Sequence, residues 1–374
     1  VNLIVDWYKK VSKDMLMSLQ LLSYMGTSGN ASSALAAPKG NYGDIENTGF
    51  EISLNTHPIT GKFEWDSDFQ ISFNKNKLKG LAGTANAQIV GYGQWTDVVS
   101  VSSVGESLYN FYGFVCDGVY KDLEDLQTSP KPAKYPANGV FDRTNTVWVG
   151  DVKYKDISGP DGVPDGVIDD YDKTNIGSPM PKFTFGWTNT FRYKNFDLSV
   201  FINGSVGNKV MNYMSINLTH MNSAWTNQLA KVNGHAVIVP IDADKAAAAG
   251  AKSWYYDITN SQVANPNAVL PRVTLNDPND NDRISDRYVE DGSYVRLKNI
   301  TFGYTFPKKM IKNWGLENLR LYANIQNLLT ITGYDGYDPE IGASTADSSG
   351  YTYGLDNGRY PSPTVYSFGL NVTF

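Results

Sequence analysis

Apolar and polar residues alternate strictly through the last eleven positions of the chain, from Thr364 to Phe374. The apolar phase consists of Tyr366, Phe368, Leu370, Val372 and Phe374, with small or polar residues between them. A period of two residues predicts a β-strand with one apolar and one polar face. An open half-apolar edge invites aggregation in water, whereas a strand that closes a membrane barrel has no free edge. The pattern therefore favours a membrane-spanning strand.

The same alternation predicts nine strands. They cover residues 1–10, 14–22, 47–55, 63–76, 183–193, 196–206, 293–306, 318–330 and 364–374. Seven of them alternate clearly, and their apolar phases hold 34 positions without a charge, whereas the 27 opposite positions hold seven charges. A lysine or arginine facing lipid at mid-membrane costs about 2–4 kcal/mol, so a face without charge suits lipid contact. The inner face of a soluble sandwich also lacks charge, so this observation leaves both architectures open.

The connections between these nine strands alternate between short and long. They run 3, 24, 7, 106, 2, 86, 11 and 33 residues. Outer-membrane barrels have short periplasmic turns and long external loops. The alternation therefore predicts an all-β fold, a transmembrane antiparallel β-barrel with long extracellular loops. It also predicts that the last strand ends in the periplasm, that Val1 lies outside, and that an odd number of strands is missing upstream.

The composition narrows the classes of function. Aromatic residues make up 13% of the 374 residues, which suits aromatic belts at membrane interfaces and equally suits a sugar-binding β-protein. A net charge of −6 argues against nucleic acid as a partner. Cys116 is the only cysteine, so no internal disulfide forms. No nucleophile-elbow, HExxH, P-loop or paired-cysteine motif occurs, so the sequence predicts no catalysis.

Several stretches carry a resemblance to a known family. They are VDWYKKVSKDML (5–16), NTGFEISL (47–54), GDVKYKDISGPDG (150–162), GSPMPKFTFGWTNTFRYKNFDLSVFINGSVGNKV (177–210), VEDGSYVRLKNITFGYTFP (289–307), LRLYANIQNLLTITGYDGYDPE (319–340) and GRYPSPTVYSFGLNVTF (358–374). Together they resemble the C-terminal portion of SusC/RagA-type TonB-dependent outer-membrane transporters of the Bacteroidetes. The resemblance covers nearly all of the chain outside the loop tips.

This resemblance implies a bacterial outer-membrane barrel of 22 strands, to which residues 1–374 contribute the last nine. It implies that an N-terminal plug domain, a TonB box and the earlier strands belong to another part of the transporter. The implied partners are that N-terminal plug and barrel fragment, TonB, a SusD-like surface lipoprotein, the outer-membrane lipid, and a glycan or peptide ligand. The terminal aromatic, here Phe374, is implied to be the signal read by the barrel-assembly machinery.

An acidic loop within the long segment 77–182 is spaced like a calcium-binding loop. The candidate ligands are Asp161, Asp165, Asp169 and Asp172, with Gly166 at the turn position of EF-hand spacing. Val163 stands where that pattern needs Asp or Asn, and the last position is Asp instead of the longer Glu. The loop therefore has two interpretations, a calcium site and an Asp/Gly-rich surface turn.

Aromatic residues of the last two long loops are candidate ligand contacts. They are Trp225, Trp254, Tyr255, Tyr256, Tyr351 and Tyr353. Flat aromatic rings stack on the apolar faces of sugars, while neighbouring Asp and Asn side chains bind hydroxyls. The alternative is that these rings pack the loops together or against a lid.

Three functional hypotheses follow from the sequence. The first is import of a bulky nutrient, an oligosaccharide or peptide, by a SusCD-like, TonB-energised transporter. The second is a secreted or surface β-rich carbohydrate-binding module. The third is a non-transport structural component of a surface complex. Detergent dependence separates the first from the second, and the identity of the partners separates the first from the third.

Overall fold

An antiparallel sheet of eight strands is the central element of the computed structural model. The structure describes residues 1–18, 39–81, 87–94, 97–221, 226–251, 253–343 and 352–374. The strands are β1 (Asn2–Ser18), β2 (Lys39–Ile59), β3 (Phe63–Leu81), β4 (Phe183–Tyr193), β5 (Phe196–Val206), β6 (Tyr294–Thr305), β7 (Asn318–Thr332) and β8 (Val365–Thr373). Each strand is hydrogen-bonded to the next in chain order, so the sheet is an up-and-down meander.

The first strand corrects the predicted strand count. Where the sequence pattern predicts strands at 1–10 and 14–22, the described residues form one strand, β1, whose register on β2 shifts between Ser12 and Met15. Asp14 adopts φ 54° and donates its backbone N–H to the Asp44 carboxylate at 2.9 Å. A β-bulge breaks the alternation without reversing the chain, so the predicted turn at 11–13 is wrong. Residues 19–22 of the second predicted strand lie outside the described residues.

The direction of β1 changes with this correction. Eight consecutive antiparallel strands make β1 and β8 run in opposite directions. Since β8 ends at the edge of the sheet that carries the short turns, β1 begins at that edge. The prediction that Val1 lies outside is therefore wrong, and the inference of an odd number of upstream strands loses its basis.

The alternation of short and long connections holds for the eight strands. The segments between them contain 20, 3, 101, 2, 87, 12 and 32 residues in chain order. The first of these, residues 19–38, lies outside the described residues. We name the other three long segments connection A (residues 82–182), connection B (residues 207–293) and connection C (residues 333–364). All three leave the sheet at one edge, as the sequence predicts.

The connections have secondary structure of their own. Their short strands are Gln88–Tyr92, Val98–Ser103, Asn110–Gly113, Cys116–Val119, Lys131–Pro132, Val152–Tyr154, Val167–Ile168, Thr174–Gly177, Lys209–Asn212, Ile238–Pro240, Ser261–Val263, Val289–Asp291 and Leu355–Asp356. The α-helices within the described ranges are α1 (Leu123–Thr128), α2 (Tyr213–Leu218), α3 (Ala243–Ala249) and α4 (Lys308–Ile311), and the 3-10 turns there are Asp170–Asp172, Ala230–Gly234, Trp254–Tyr256, Ile258–Asn260, Asp286–Tyr288 and Lys312–Trp314. No helix among the described residues is long and apolar enough to cross a bilayer.

The apolar cores lie mainly in the connections. One core packs Trp148 and Val119 of connection A against Ala236 and Val263 of connection B. A second joins all three connections, and its members include Phe111, Tyr213 and Leu355. A three-stranded sheet pairs Lys209–Asn212 with both Val289–Asp291 and Leu355–Asp356. The long connections therefore form one packed layer at the edge of the main sheet.

Candidate functional site

The apolar phases predicted from the sequence lie on one face of the main sheet. The strand register places Phe50 opposite Phe73, Phe69 opposite Trp187, Trp187 opposite Ile202, Leu198 opposite Phe302, and Leu321 opposite Leu370. Many of these side chains are uncovered, with Phe302 47% and Phe368 84% exposed. Burying apolar surface is worth about 25 cal/mol per Å², so a continuous face of this kind requires a covering medium other than water.

The width of this apolar face matches a membrane. On β3 it extends from Phe63 to Phe73, about 33 Å along the strand at about 3.3 Å per residue. A strand tilted by about 45° would span about 23 Å of thickness over that length, close to the apolar band of about 25 Å in outer-membrane barrels. Lys75 and Lys77 continue the same face toward the long connections and are exposed. The lysines mark the outer limit of the band.

Two polar residues interrupt the apolar face, and each accepts a hydrogen bond from a tryptophan of a neighbouring strand. The indole N–H of Trp65 donates to Asn189 Oδ1 at 2.9 Å, and that of Trp187 donates to Ser67 Oγ at 2.9 Å. Hydrocarbon offers no hydrogen-bond partners, so polar groups there must be satisfied within the protein. The two pairs explain why Ser67 and Asn189 stand in a phase that is otherwise apolar.

The opposite face carries charges that form ion pairs between adjacent strands or, for Arg320 and Asp197, across the intervening strand β6. Arg192 bonds to Asp66 at 2.5 Å, and Asp66 also bonds to His57 at 2.6 Å. Arg320 forms an ion pair with Asp197 at 2.6 Å. In a barrel this face would line the lumen, where charged and polar groups contact water.

A buried ion pair joins connections A and B above the sheet. Arg272 is 1% exposed, and its Nε and Nη2 atoms donate to the two oxygens of Asp151 at 2.7 and 3.3 Å. The Asp151 carboxylate also accepts from the Trp148 backbone N–H at 2.8 Å and from Asn281 Nδ2 at 3.2 Å. Buried charges need such compensation because the interior solvates them poorly. This network fixes the position of Arg272 relative to connection A.

An open cleft of about 570 Å³ lies beside this ion pair. Its walls combine residues of connection A with residues of connection B: Arg143, Thr144, Met221, Gln228, Tyr256, Arg272, Val273, Thr274, Leu275 and Asn276. A second cleft of about 330 Å³ shares Arg143, Arg272 and Val273 with the first. Ligand-binding clefts of proteins have volumes of about 300–1,000 Å³ and combine apolar walls with a few polar groups.

Three of the predicted aromatic residues come together at these clefts. Trp254, Tyr255 and Tyr256 form one 3-10 turn, with the Tyr255 and Tyr256 rings 4.6 Å apart. Tyr256 is 56% exposed and lines the larger cleft, whereas Trp254 and Tyr255 line the smaller one. Arg143 lies over the Tyr255 ring at 4.6 Å. This turn is the best-placed part of the predicted ligand surface.

Tyr353, another predicted contact, does not line either cleft. Tyr353 lies in connection C, with its ring 6.1 Å from that of Tyr109, a separation typical of two packed rings. Trp225 and Tyr351 lie outside the described residues. Phe374 is exposed at the end of the chain, and its role as an assembly signal stays a prediction.

Three of the four aspartates of the acidic loop, Asp165, Asp169 and Asp172, bond to backbone amides instead of converging on a common point. Asp172 is fully buried and accepts from the N–H groups of Ile157 and Ser158 at 2.8 and 3.2 Å. Asp165 and Asp169 accept from amides two residues ahead of them, and Asp161 is exposed. Among the described residues, no group of three His, Cys, Asp or Glu side chains could hold a metal ion. These side chains, as placed, do not form a calcium ligand set, and calcium binding stays a prediction.

Sequence reasoning missed both arginines of the cleft. Arg143 and Arg272 are 129 residues apart, and each stands in a loop without a recognisable motif. The run from Asn276 to Asp282, NDPNDND, signals a loop near Arg272 but does not indicate its partner. Only the packing of connection A against connection B brings the two guanidinium groups to one cleft.

Comparison with known proteins agrees with this architecture. No family model matches the chain. TonB-dependent receptor P3 of Formosa agariphila is 32% identical over 380 aligned positions, which cover 100% of this chain and 32% of the relative. TonB-dependent receptor SusC of Bacteroides thetaiotaomicron is 25% identical, covering 99% of this chain and 30% of SusC. The chain therefore spans about a third of the length of these relatives.

Solved structures show the same fold. A chain of the RagAB peptide transporter superposes with a TM-score of 0.66 at 18% identity, covering 99% of this chain and 33% of that one. The RagAB peptide importer in its open-open state gives a TM-score of 0.64 over 100% of this chain. The predicted fold, part of a transmembrane antiparallel barrel, is confirmed. In sequence this chain is similar to about a third of TonB-dependent receptors that include SusC, and in fold it is similar to about a third of a RagAB transporter chain.

Proposed function

We propose that this chain acts in the active import of a bulky nutrient, an oligosaccharide or a peptide, across the bacterial outer membrane. The observation that supports the proposal is that the sheet and the long connections have different surfaces. One face of the sheet is apolar over the width of a membrane, and the long connections at one edge form a packed layer with an open cleft. Such an arrangement holds a ligand at the outer surface while the wall remains sealed against lipid.

The proposal includes a barrel wall completed by other strands. Both β1 and β8 are edge strands in the described sheet, and the apolar side chains of β1, including Trp7 and Leu3, are exposed. An unpaired strand edge inside a membrane costs several kcal/mol per unsatisfied backbone group. We therefore propose that residues 1–374 form the C-terminal part of a larger barrel, next to an N-terminal plug and barrel fragment.

The same proposal names two further partners, a SusD-like surface lipoprotein above the connections and TonB acting through the N-terminal part. The sequence relatives are named receptors and include SusC, and the solved structures are of a peptide transporter and importer named RagAB. None of these names describes an enzyme, and we propose that this protein likewise has no catalytic role.

Uptake measurements test the proposal. Cells that express the protein should take up a fluorescently labelled oligosaccharide or peptide. Deletion of its gene should abolish that uptake. A protonophore should also abolish uptake but leave binding at the cell surface intact, because energy from TonB drives translocation and not binding. Uptake that persists in the deletion strain, or that ignores the protonophore, contradicts active import.

Co-purification tests the partners separately. The protein extracted in detergent should bring down a plug-bearing polypeptide and a surface lipoprotein. A protein that purifies alone as a closed barrel would contradict the proposed assembly. The alternative of a secreted carbohydrate-binding module disagrees with the exposed apolar face, and it requires a protein that stays monomeric without detergent. A structural component of a surface complex would co-purify normally and fail only the uptake assay.

A further inference from the structure

Arg272 has a donor that its ion pair does not use. The side chain is almost fully buried, and its Nε and Nη2 atoms are engaged by Asp151 and by the Arg143 carbonyl oxygen at 3.2 Å. Its Nη1 atom is also buried and has no hydrogen-bond partner among the described residues. Arg272 lines both clefts. A buried guanidinium donor without a protein partner, beside an open cleft, is a ready site for an acceptor supplied by a ligand.

Arg143 adds a second cation to the same place. Its guanidinium lies over the Tyr255 ring, and its Nε atom is buried and has no hydrogen-bond partner in the part of the chain that the structure describes. Burial, followed by the proximity of Arg272, lowers the pKa of Arg143, although a guanidinium stays protonated at neutral pH. The structure therefore holds two like charges close together, an arrangement that an anion between them would relieve.

Among the described residues, Asn281 bonds to two carboxylates here, those of Asp277 and Asp151, and Asp151 is the one that pairs with Arg272. Both of its oxygens are already occupied by Arg272, Asn281 and the Trp148 amide. No oxygen of Asp151 bonds to Arg143, so the Arg143 guanidinium remains available to a ligand anion. The remaining walls are neutral: Tyr256 offers an exposed ring, while Thr144, Thr274 and Asn276 offer hydroxyl and amide groups.

We propose that the cleft between connections A and B binds a carboxylate of the nutrient, held by Arg143 and by the free Nη1 of Arg272, with Tyr256 against the adjoining part of the ligand. Guanidinium and carboxylate match in charge and planarity, which makes this pair one of the stronger and more directional contacts in proteins. The inference rests on the proposed function, since it names a chemical feature of the imported ligand. A carboxylate of an acidic sugar and one of a peptide both satisfy it.

The test measures binding to the protein purified from its outer membrane in detergent. Four probes are compared by calorimetry: a uronic-acid trisaccharide, the neutral trisaccharide of the same linkage, a glutamate-containing tripeptide and its glutamine counterpart. We expect one acidic probe to bind at least tenfold more tightly than its neutral partner, and the pair that shows this difference identifies the source of the carboxylate. Equal affinities within both pairs, or no binding of either acidic probe, overturn the proposal.

Variants locate the binding site. R143M keeps an unbranched apolar side chain and removes the charge, so the acidic probe should lose at least tenfold in affinity, while the neutral probe is unaffected. R143K should recover part of the loss, because it restores the charge without the planar fork. R272M is not used, since it would leave Asp151 buried without its cation.

The matched control is R283M. Arg283 also stacks on aromatic rings, those of Phe114 and Tyr154, and lines a separate cleft whose walls include Asp169, Asp170 and Asp280. This variant should bind the acidic probe as the unchanged protein does. Equal loss in R143M and R283M, or a loss of acidic and neutral probes alike in R143M, overturns the proposal.

Uptake of the same probes separates this inference from the function on which it rests. If the acidic probe binds through Arg143 but no probe is taken up, import is contradicted and the carboxylate site is retained. If acidic and neutral probes are taken up equally, and R143M does not change their uptake, import is retained and the proposed carboxylate site is overturned.

Discussion

Several aromatic residues are buried in the long connections, whereas others are exposed on one face of the main sheet. In the connections, aromatic residues such as Trp148, Phe111 and Tyr213 are completely buried in cores of their own. In the sheet, Phe302 and Phe368 of the apolar face stay exposed. The difference shows that this chain is built for two solvents. Water drives the connections to close around their apolar side chains, whereas lipid covers the sheet and requires no second protein layer.

The two regions also differ in how their polar side chains are hydrogen-bonded. On the apolar face of the sheet each polar side chain needs one neutral partner, as in the pair of Trp65 and Asn189. In the connections a whole network surrounds one buried ion pair, Asp151 with Arg272. The comparison predicts which substitutions harm the sheet and which harm the connections, and the following four changes test it.

The largest effect should come from breaking the buried ion pair. D151L leaves the Arg272 guanidinium buried without its anion, which costs about 3–5 kcal/mol. We expect connections A and B to become sensitive to protease while the barrel still resists heat and detergent. The control K245A breaks the half-exposed ion pair of Lys245 with Asp257, worth about 0–1 kcal/mol, and should leave the protease pattern unchanged. Melting of the barrel together with the connections would show that the two regions are one cooperative unit.

A charge on the apolar face should be the next most harmful change. V200K places an ammonium group near the middle of the apolar stretch of β5 and should cost about 2–4 kcal/mol in urea unfolding from lipid vesicles. S199K adds the same charge one residue earlier, on the polar face, and should cost less than about 1 kcal/mol. Equal destabilisation by the two variants would contradict the assignment of the faces.

Removing a single acceptor from the apolar face should have a moderate effect. N189L leaves the indole N–H of Trp65 without a partner and should cost about 1–3 kcal/mol of barrel stability. Adding W65F to N189L removes the unpaired indole N–H. The loss of stability in the double variant should therefore be smaller than the sum of the losses in the two single variants. Strict additivity in this cycle would mean that the hydrogen bond contributes nothing.

The smallest expected effect is a pH dependence of the connections. Burial raises the pKa of Asp277 from 3.8 to about 6. Between about pH 4 and 6 the folded state keeps a proton that the unfolded state releases, so folding stability falls as the pH rises through this window and levels off above it. Since the carboxylate is partly exposed, we expect a change of about 1 kcal/mol after screening.

Hydrogen exchange of residues 276–282, corrected for intrinsic rates, measures this change. Protection should be higher at pH 4.5 than at pH 7, and the difference should shrink in D277N, which cannot ionise. An unchanged pH dependence in D277N would assign the titration to another group.

Much of the sheet could be predicted from the sequence, because the signal is local. The predicted spans 183–193 and 196–206 are the observed bounds of β4 and β5, and the predicted apolar phases form one face. The error at β1 has a physical cause. A bulge at Asp14 shifts the alternation in the way that a turn would, and only the pairing with β2 distinguishes the two.

The candidate site could be predicted only in part. Sequence reasoning pointed to Trp254, Tyr255 and Tyr256 because aromatic residues in long external loops are natural ligand contacts. It passed over Arg143 and Arg272, whose importance comes from unused donors beside a cleft. Such a property depends on which groups surround a side chain, and no motif in the sequence encodes it.

The sequence by itself determined the period, faces and order of the strands, because alternation every two residues sets the side on which each side chain lies. It also determined that long segments follow every second strand. The tertiary structure decided how those segments pack, because residues more than a hundred positions apart meet only when connections A and B fold onto each other. The Arg143–Arg272 cleft is a product of that packing, since its charge and shape arise from contacts between distant parts of the chain.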